Sequence, residues 1–295
     1  MPALPPTSGL RRAALTTFAL AAAAAPAAAQ QGYNATVQST PGLLGYYTFT
    51  QAAQANSVVN GYTGTLQNGA TVGGPGSGPP ISDPSSSALL LPNGASGTAY
   101  ATAGGSKPLT GQIGNSGSIV AWINLASLPS TQNRIFSIAG ESDVVNDFDL
   151  QVEGDLLRFY TDGGSYTGAA SPFTASNLNQ WIFVAGTFTA GVDREVYVNG
   201  LLSGSSTPGG HSLNGAPFYV GQSNVFGGRY FDGAIADVAV FNTDLTAAQI
   251  QAIYASRLVP AAGGGATTAP EPSTWALLAA GLGGLGAVAR RRARA

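Results

Sequence analysis

Asp143, Asn146 and Asp147 crowd carboxylate and amide oxygens into one short stretch. Oxygen donors of this kind suit calcium, so these three are the candidate metal ligands. Tyr160, Tyr166 and Tyr230 are candidates to stack on a sugar ring or on a partner, because each offers an apolar face and a polar tip. The one histidine, His211, lies in Pro208-Gly209-Gly210-His211-Ser212 and reads as an exposed loop residue. A Ser-His-Asp triad would depend on it, as would most zinc sites. The chain has no cysteine, which excludes thiol catalysis, thiolate metal sites and a disulfide framework. The Gly163-Gly164 and Gly227-Gly228 pairs fit tight turns, and nothing resembles a phosphate-binding loop.

The elements that must position these residues read as strands. Ile119, Ala121 and Ile123 alternate with Val120 and Trp122, which is the period of a pleated strand. Further strands are expected at Arg134 to Ala139, Phe148 to Val152, Leu156 to Tyr160, Trp181 to Thr189, Glu195 to Val198, Phe218 to Gly221 and Ile235 to Phe241. Glu153-Gly154-Asp155 turns one hairpin. Asn199-Gly200 turns another, because both residues tolerate the positive φ of a type I′ turn. Gly140 to Asp147 reads as a polar loop. One helix is expected to close the domain: Thr246 is a suitable N-cap, Gln249 completes a capping box, and Ile250, Ile253 and Tyr254 share a face. Gly73 to Ser87, rich in Gly, Pro and Ser, is expected to be a long loop inside the domain. Many short strands with glycine turns indicate an all-β sandwich or jelly roll.

The two ends are different. Arg11-Arg12, an apolar run from Ala13 to Ala25 and the small residues Ala27-Ala28-Ala29 make a secretory signal peptide, 1–29, with cleavage expected after Ala29. At the other end, Pro270-Glu271-Pro272 precedes an uncharged stretch from Ser273 to Ala289 and then four arginines, Arg290, Arg291, Arg292 and Arg294. The stretch is near the lower length limit for a membrane-spanning helix. The arginines would stay on the cytoplasmic side. Between the ends lie a domain, 30–258, and a flexible linker, 259–269. Of the 12 Lys and Arg, six lie in the ends, whereas 13 of the 14 Asp and Glu lie between them. The central region therefore carries about −7, which excludes a nucleic-acid partner and adhesion to anionic lipid.

The tail, 270–295, resembles the PEP-CTERM sorting tails of Gram-negative surface proteins. The resemblance implies an exosortase-type transpeptidase as partner, cutting at Pro270-Glu271-Pro272, and only transient anchoring in the inner membrane. It also implies export to the cell surface or the extracellular space, among bacteria that make exopolysaccharide.

The region from about Leu43 to Leu258 resembles the laminin-G-like, concanavalin A-like jelly rolls. Leu44-Gly45-Tyr46-Tyr47-Thr48-Phe49 is similar to the family's first strand. Asn56 to Leu66, Ser118 to Ile123, Asn179 to Ala185, Val196 to Gly200 and Phe231 to Asn242 match further segments in order, with the closing helix after Leu245. Asn56, Asn93 and Ala236 replace acidic residues common in the family, which weakens an inherited calcium site. The fold hosts lectins, adhesion modules and glycanases. Related glucanases carry Glu-x-Asp-x-(x)-Glu on one strand, as nucleophile and acid about 5–5.5 Å apart. Here Glu141-Ser142-Asp143-Val144-Val145-Asn146 has an amide where the second glutamate belongs, or Asp147 by a one-residue slip, and Asn cannot exchange a proton; a loop there would also leave the carboxylates in solvent, without the burial that raises an acid's pKa. The expectation is a non-catalytic binding module for an extracellular polysaccharide or a surface protein. A glycoside hydrolase and a purely structural matrix protein are the alternatives.

Overall fold

The computed structural model describes residues 32–50, 54–74, 76–83, 85–93, 97–103, 109–128, 135–141, 148–162, 165–169, 172–210, 218–222 and 229–258. Ala29, Asp143, Asn146, Asp147, His211 and Pro270-Glu271-Pro272 lie outside them. Along the described chain come α1 (Tyr33–Ser39), β1 (Leu43–Tyr47), β2 (Leu66–Gln67), β3 (Thr71–Val72), β4 (Leu89–Leu91) and β5 (Tyr100–Ala103). Next are β6 (Ser116–Leu125), β7 (Ile135–Glu141), β8 (Phe148–Glu153), β9 (Leu156–Tyr160) and β10 (Tyr166–Ala169). Then β11 (Trp181–Thr189), β12 (Asp193–Val198), β13 (Leu201–Ser206), β14 (Phe218–Val220) and β15 (Gly233–Phe241) lead to α2 (Ala247–Ala255).

The strands form two antiparallel sheets. The first has the order β13-β12-β11-β6-β15-β4-β3, with β1 also paired to β15; the second has the order β10-β9-β8-β7-β14-β5-β2. This is the expected sandwich. Alternation explains how they pack. Ile119, Ala121 and Ile123 of β6 and Ile182, Val184 and Phe188 of β11 face inward. There they meet Phe148, Leu150, Leu157 and Phe159 of the second sheet in the main core.

The intervening residues, Val120, Trp122, Phe183 and Ala185, are also buried, in a second cluster on the outer face of the first sheet. Two helices cover that face. The closing helix α2 has the predicted capping box: Thr246 Oγ1 accepts from the Gln249 amide, and Gln249 Oε1 accepts from the Thr246 amide. Ile250 and Ile253 point into the cluster. The other helix, α1, was not read from the sequence. Its seven residues, Tyr-Asn-Ala-Thr-Val-Gln-Ser, are weak helix formers and too few to hold a helix alone. Tyr33 and Val37, one turn apart, are buried in the cluster, and Tyr33 meets Trp122 edge-on at 6.2 Å.

Asn199 (φ 50°) and Gly200 (φ 77°) form the predicted turn between β12 and β13. Gly154 (φ 64°) turns β8 into β9. The polar loop expected from Gly140 starts later than the sequence implied. Gly140 and Glu141 remain in β7, paired with Asp149 and Phe148, because a backbone ladder accepts any residue that can reach its partner. The Gly73 to Ser87 region runs as a loop between β3 and β4, pinned where Ser82 donates to the Arg257 carbonyl.

Candidate functional site

With the outer face of the first sheet under α1 and α2, the outer face of the second sheet carries the remaining aromatic surface among the described residues, open at its two ends and buried at Asp149 and Gln151 of β8. Register assigns its residues. Tyr166 pairs with Tyr160, Tyr160 with Asp149, Asp149 with Gly140, Gly140 with Tyr219, and Tyr219 with Thr102. Directly opposed residues project to the same face. Their neighbours in sequence, Phe159, Phe148, Leu150, Phe218 and Val220, fill the core, so this row faces away from it. The row crosses β10, β9, β8, β7, β14 and β5. From Tyr166 to Tyr219 it spans four strand spacings, about 19 Å. Near its middle the row is closed to solvent: Asp149 is 2% exposed.

Aromatic clusters mark the two ends. At the β9–β10 end the rings of Tyr160 and Tyr166 lie 5.3 Å apart, tilted by 43°. The Arg158 guanidinium sits 4.1 Å over the Tyr166 ring and donates to Glu153 at 2.5 Å. Tyr166 is 41% exposed, so one of its faces remains open to a ligand. Burial raises the Tyr160 hydroxyl above its ordinary range, opposed by the Arg158 hydrogen bond. Burial works against the Arg158 charge, but Tyr160, Glu153 and Tyr166 outweigh it and hold the guanidinium more firmly protonated. At the β14–β5 end Tyr100 lies 5.7 Å from Tyr219 and 6.4 Å from Tyr230. Burial and the nearby Tyr100 raise the Tyr219 hydroxyl.

Of the three tyrosines singled out in the sequence, Tyr160 and Tyr166 stand on the second sheet, and Tyr230, on none of its strands, packs beside Tyr100 at the other end. Sequence reading missed Arg158, Glu153, Tyr100 and Tyr219. A signal for the first was present: in Leu156-Leu157-Arg158-Phe159-Tyr160, Arg158 shares a face with Tyr160. Among the described residues no group of three or more acidic or histidine side chains converges to hold a metal ion. The amides that replace acidic residues serve structure. Buried Asn93 donates to the Ala99 and Phe231 carbonyls and accepts from the Ala99 amide, and Asn56 accepts from the Gly64 amide. A neutral amide makes these bonds without a buried charge.

Residues 93–251 match the family described as the concanavalin A-like lectin/glucanases superfamily, and residues 268–293 match the PEP-CTERM protein-sorting motif. That motif indicates export and membrane-associated sorting in Gram-negative bacteria. No curated protein matches the chain. Among solved structures, domain 4 of AbnA, a GH43 extracellular arabinanase from Geobacillus stearothermophilus in complex with arabinotriose, is similar at 15% identity. The TM-score is 0.53, over 72% of this chain and 98% of that one. The binding domain of botulinum neurotoxin DC, in complex with SialylT, is similar at 13% identity with a TM-score of 0.55, over 74% of this chain and 52% of that one. The likeness therefore takes in about half of the toxin binding domain. At these identities it speaks for the fold.

Proposed function

Because the chain belongs to the concanavalin A-like lectin/glucanase superfamily and carries a PEP-CTERM sorting motif, we propose that it is an exported glycan-binding module without catalysis of its own. The observation that carries this reading is the cross-strand row on the outer face of the second sheet. Half-buried tyrosines are held in place by packing, so little side-chain freedom is lost when a sugar ring stacks on them. The two aromatic clusters, about 19 Å apart with Asp149 buried between them, offer two separate stacking points for the residues of a saccharide. Arabinotriose on the arabinanase domain and SialylT on the toxin domain support a saccharide ligand on this fold. An exosortase-type enzyme processes the tail at Pro270-Glu271-Pro272, and the mature protein meets extracellular polysaccharide at or beyond the cell surface. Asp143, Asn146 and Asp147 stay as proposed calcium ligands beside this function.

The test is binding of the purified full-length chain, in detergent micelles, to a glycan array and to exopolysaccharide from its host. Tyr166→Ala and Tyr219→Ala should each weaken binding about tenfold, as expected for loss of one stacking contact of about 1–2 kcal/mol. No binding to any glycan, or variants that bind like the parent, would overturn the proposal.

A further inference from the structure

The described chain enters and leaves the fold at one pole of the first sheet. Strand β11 runs from Trp181 at this pole to Thr189 at the other, about 27 Å away. The Asn199 amide donates to the Phe183 carbonyl, which places the tip of the β12–β13 hairpin near Trp181. Helix α2 runs toward the same pole. Leu245, before its start, donates to Ser118, which pairs with Thr187 near the far end of β11. Tyr254, in its last turn, lies 5.6 Å from Phe183. A methyl group on Gly200 would come within 2.8 Å of the Tyr254 ring, so the hairpin tip and the end of α2 touch. Tyr33, where α1 begins, meets Trp122, which pairs with Phe183, and α1 also touches the turn Ser256–Leu258.

Both apolar segments of the sequence attach at this pole: the signal run, 13–25, upstream of Tyr33, and the tail stretch, 273–289, downstream of Leu258. The connection from Leu258 to Ser273 has a root-mean-square reach of about 20 Å, so a tail lodged in a bilayer keeps this pole close to it. The surface of the pole suits that neighbour. Leu201 and Leu202, after the hairpin tip, are 64% and 51% exposed, and Leu258 is 68% exposed. Tyr254 stands beside the tip with the Arg257 guanidinium 3.7 Å over its ring, and aromatic and basic side chains settle at lipid–water boundaries. Neither 199–208 nor 246–258 holds a carboxylate. Asp83, brought near by the Ser82–Arg257 contact, accepts from Asn34 and Ser85. The opposite pole carries Asp193 and Asp244 around Thr189, so the negative charge of the domain does not bar an apolar contact here. We propose that this pole is a membrane-docking surface. In the unprocessed chain Leu201, Leu202 and Leu258 rest in the apolar margin of the bilayer, with Arg257 at the headgroups, and the β11–β12 hairpin points away from it. The docking rests on anchoring by the tail, which supplies the local concentration; three leucines alone hold weakly, so cutting the tail releases the domain.

The experiment uses the chain with its signal peptide removed and its tail intact, reconstituted into vesicles of phosphatidylethanolamine and phosphatidylglycerol. Because the chain has no cysteine, Leu202→Cys and Val192→Cys each carry a single fluorophore. Both positions are exposed, and Val192 marks the far pole at 62% exposure. Spin-labelled lipid should quench the label at 202 about threefold more than the label at 192, because an interfacial side chain sits about 5–10 Å into the headgroup–acyl boundary. Adding Leu201→Asp and Leu258→Asp should bring quenching at 202 down to the level at 192. Equal quenching at the two sites, in a chain that floats with the vesicles in a density gradient, overturns the docking and leaves the anchoring in place. A label at 202 shielded from aqueous iodide but untouched by the lipid quencher overturns it in favour of a second copy of the chain. A chain that does not float with the vesicles overturns anchoring and docking together.

Discussion

Replacing Asp237 by Asn should change how stability depends on pH. Asp237 sits in the bulge of β15 between Ala236 and Ala239, 2% exposed, at a φ of 51°. Its Oδ1 lies 2.9 Å from the Tyr46 hydroxyl, which also lies 2.5 Å from Asn34 Oδ1. One hydroxyl proton cannot serve two acceptors. The contacts are all satisfied if Asp237 is protonated and donates to Tyr46, while Tyr46 donates to Asn34 and Asn34 donates to Asp83. Burial is also the main force that raises the Asp237 carboxyl, from 3.8 to about 7, with Asp83 adding to it and Tyr46 opposing it. The folded state thus holds a proton that the unfolded chain releases near pH 4. The stabilising contribution is fully present below that pH and falls as pH rises toward 7, after which it is flat. A shift of this size corresponds to roughly 4 kcal/mol across the window. Asn is neutral throughout, tolerates the left-handed backbone, and can donate to Tyr46 as the acid does. Its second N–H lacks an acceptor, which costs about 1–3 kcal/mol at every pH. Urea unfolding of both proteins, followed by tryptophan fluorescence from pH 4 to 8.5, should show Asp237→Asn weaker at pH 4–5. Relative to the parent it should then gain several kcal/mol by pH 8. Parallel curves across the whole range would refute the protonated-acid account.

Arg194, 1% exposed, donates to Asp162 at 2.8 Å and to Thr161, Thr167 and Ser165. Arg194→Met strands the carboxylate and should cost about 3–5 kcal/mol in urea unfolding at pH 7, with part of the loss recovered in the Arg194→Met, Asp162→Asn double variant. Burial pushes the Asp162 carboxyl upward, but hydrogen bonds from Ser165, the Gly209 amide and Arg194 pull it below its ordinary value. Its contribution is therefore present above about pH 4 and disappears as pH falls through the lowered value, so Arg194→Met should show a shallower loss of stability in acid than the parent. For the sorting proposal, mass spectrometry of the protein recovered from its host should find a C-terminus upstream of Ser273; a chain still ending in Arg290 to Ala295 would refute processing.

What depends on near neighbours was legible in the chain alone. Period-two alternation in Ile119 to Ile123 and the apolar run from Trp181 to Thr189 specified strands, Asn199-Gly200 specified its turn, and Thr246 with Gln249 specified the start of α2. The sorting motif in the tail is likewise a local signal. Only tertiary structure decided the rest, because it depends on pairing between distant segments. Tyr219 joins Tyr160 on one face because β14 pairs with β7 and β7 with β8, and a one-residue slip in either pairing would send the tyrosines to opposite faces. Helix α1 exists because Tyr33 and Val37 find the outer face of the first sheet, which propensity could not foretell. The burial of Asp237, and with it its raised carboxyl, likewise follows from what packs over it: water would have left that carboxyl in its ordinary range.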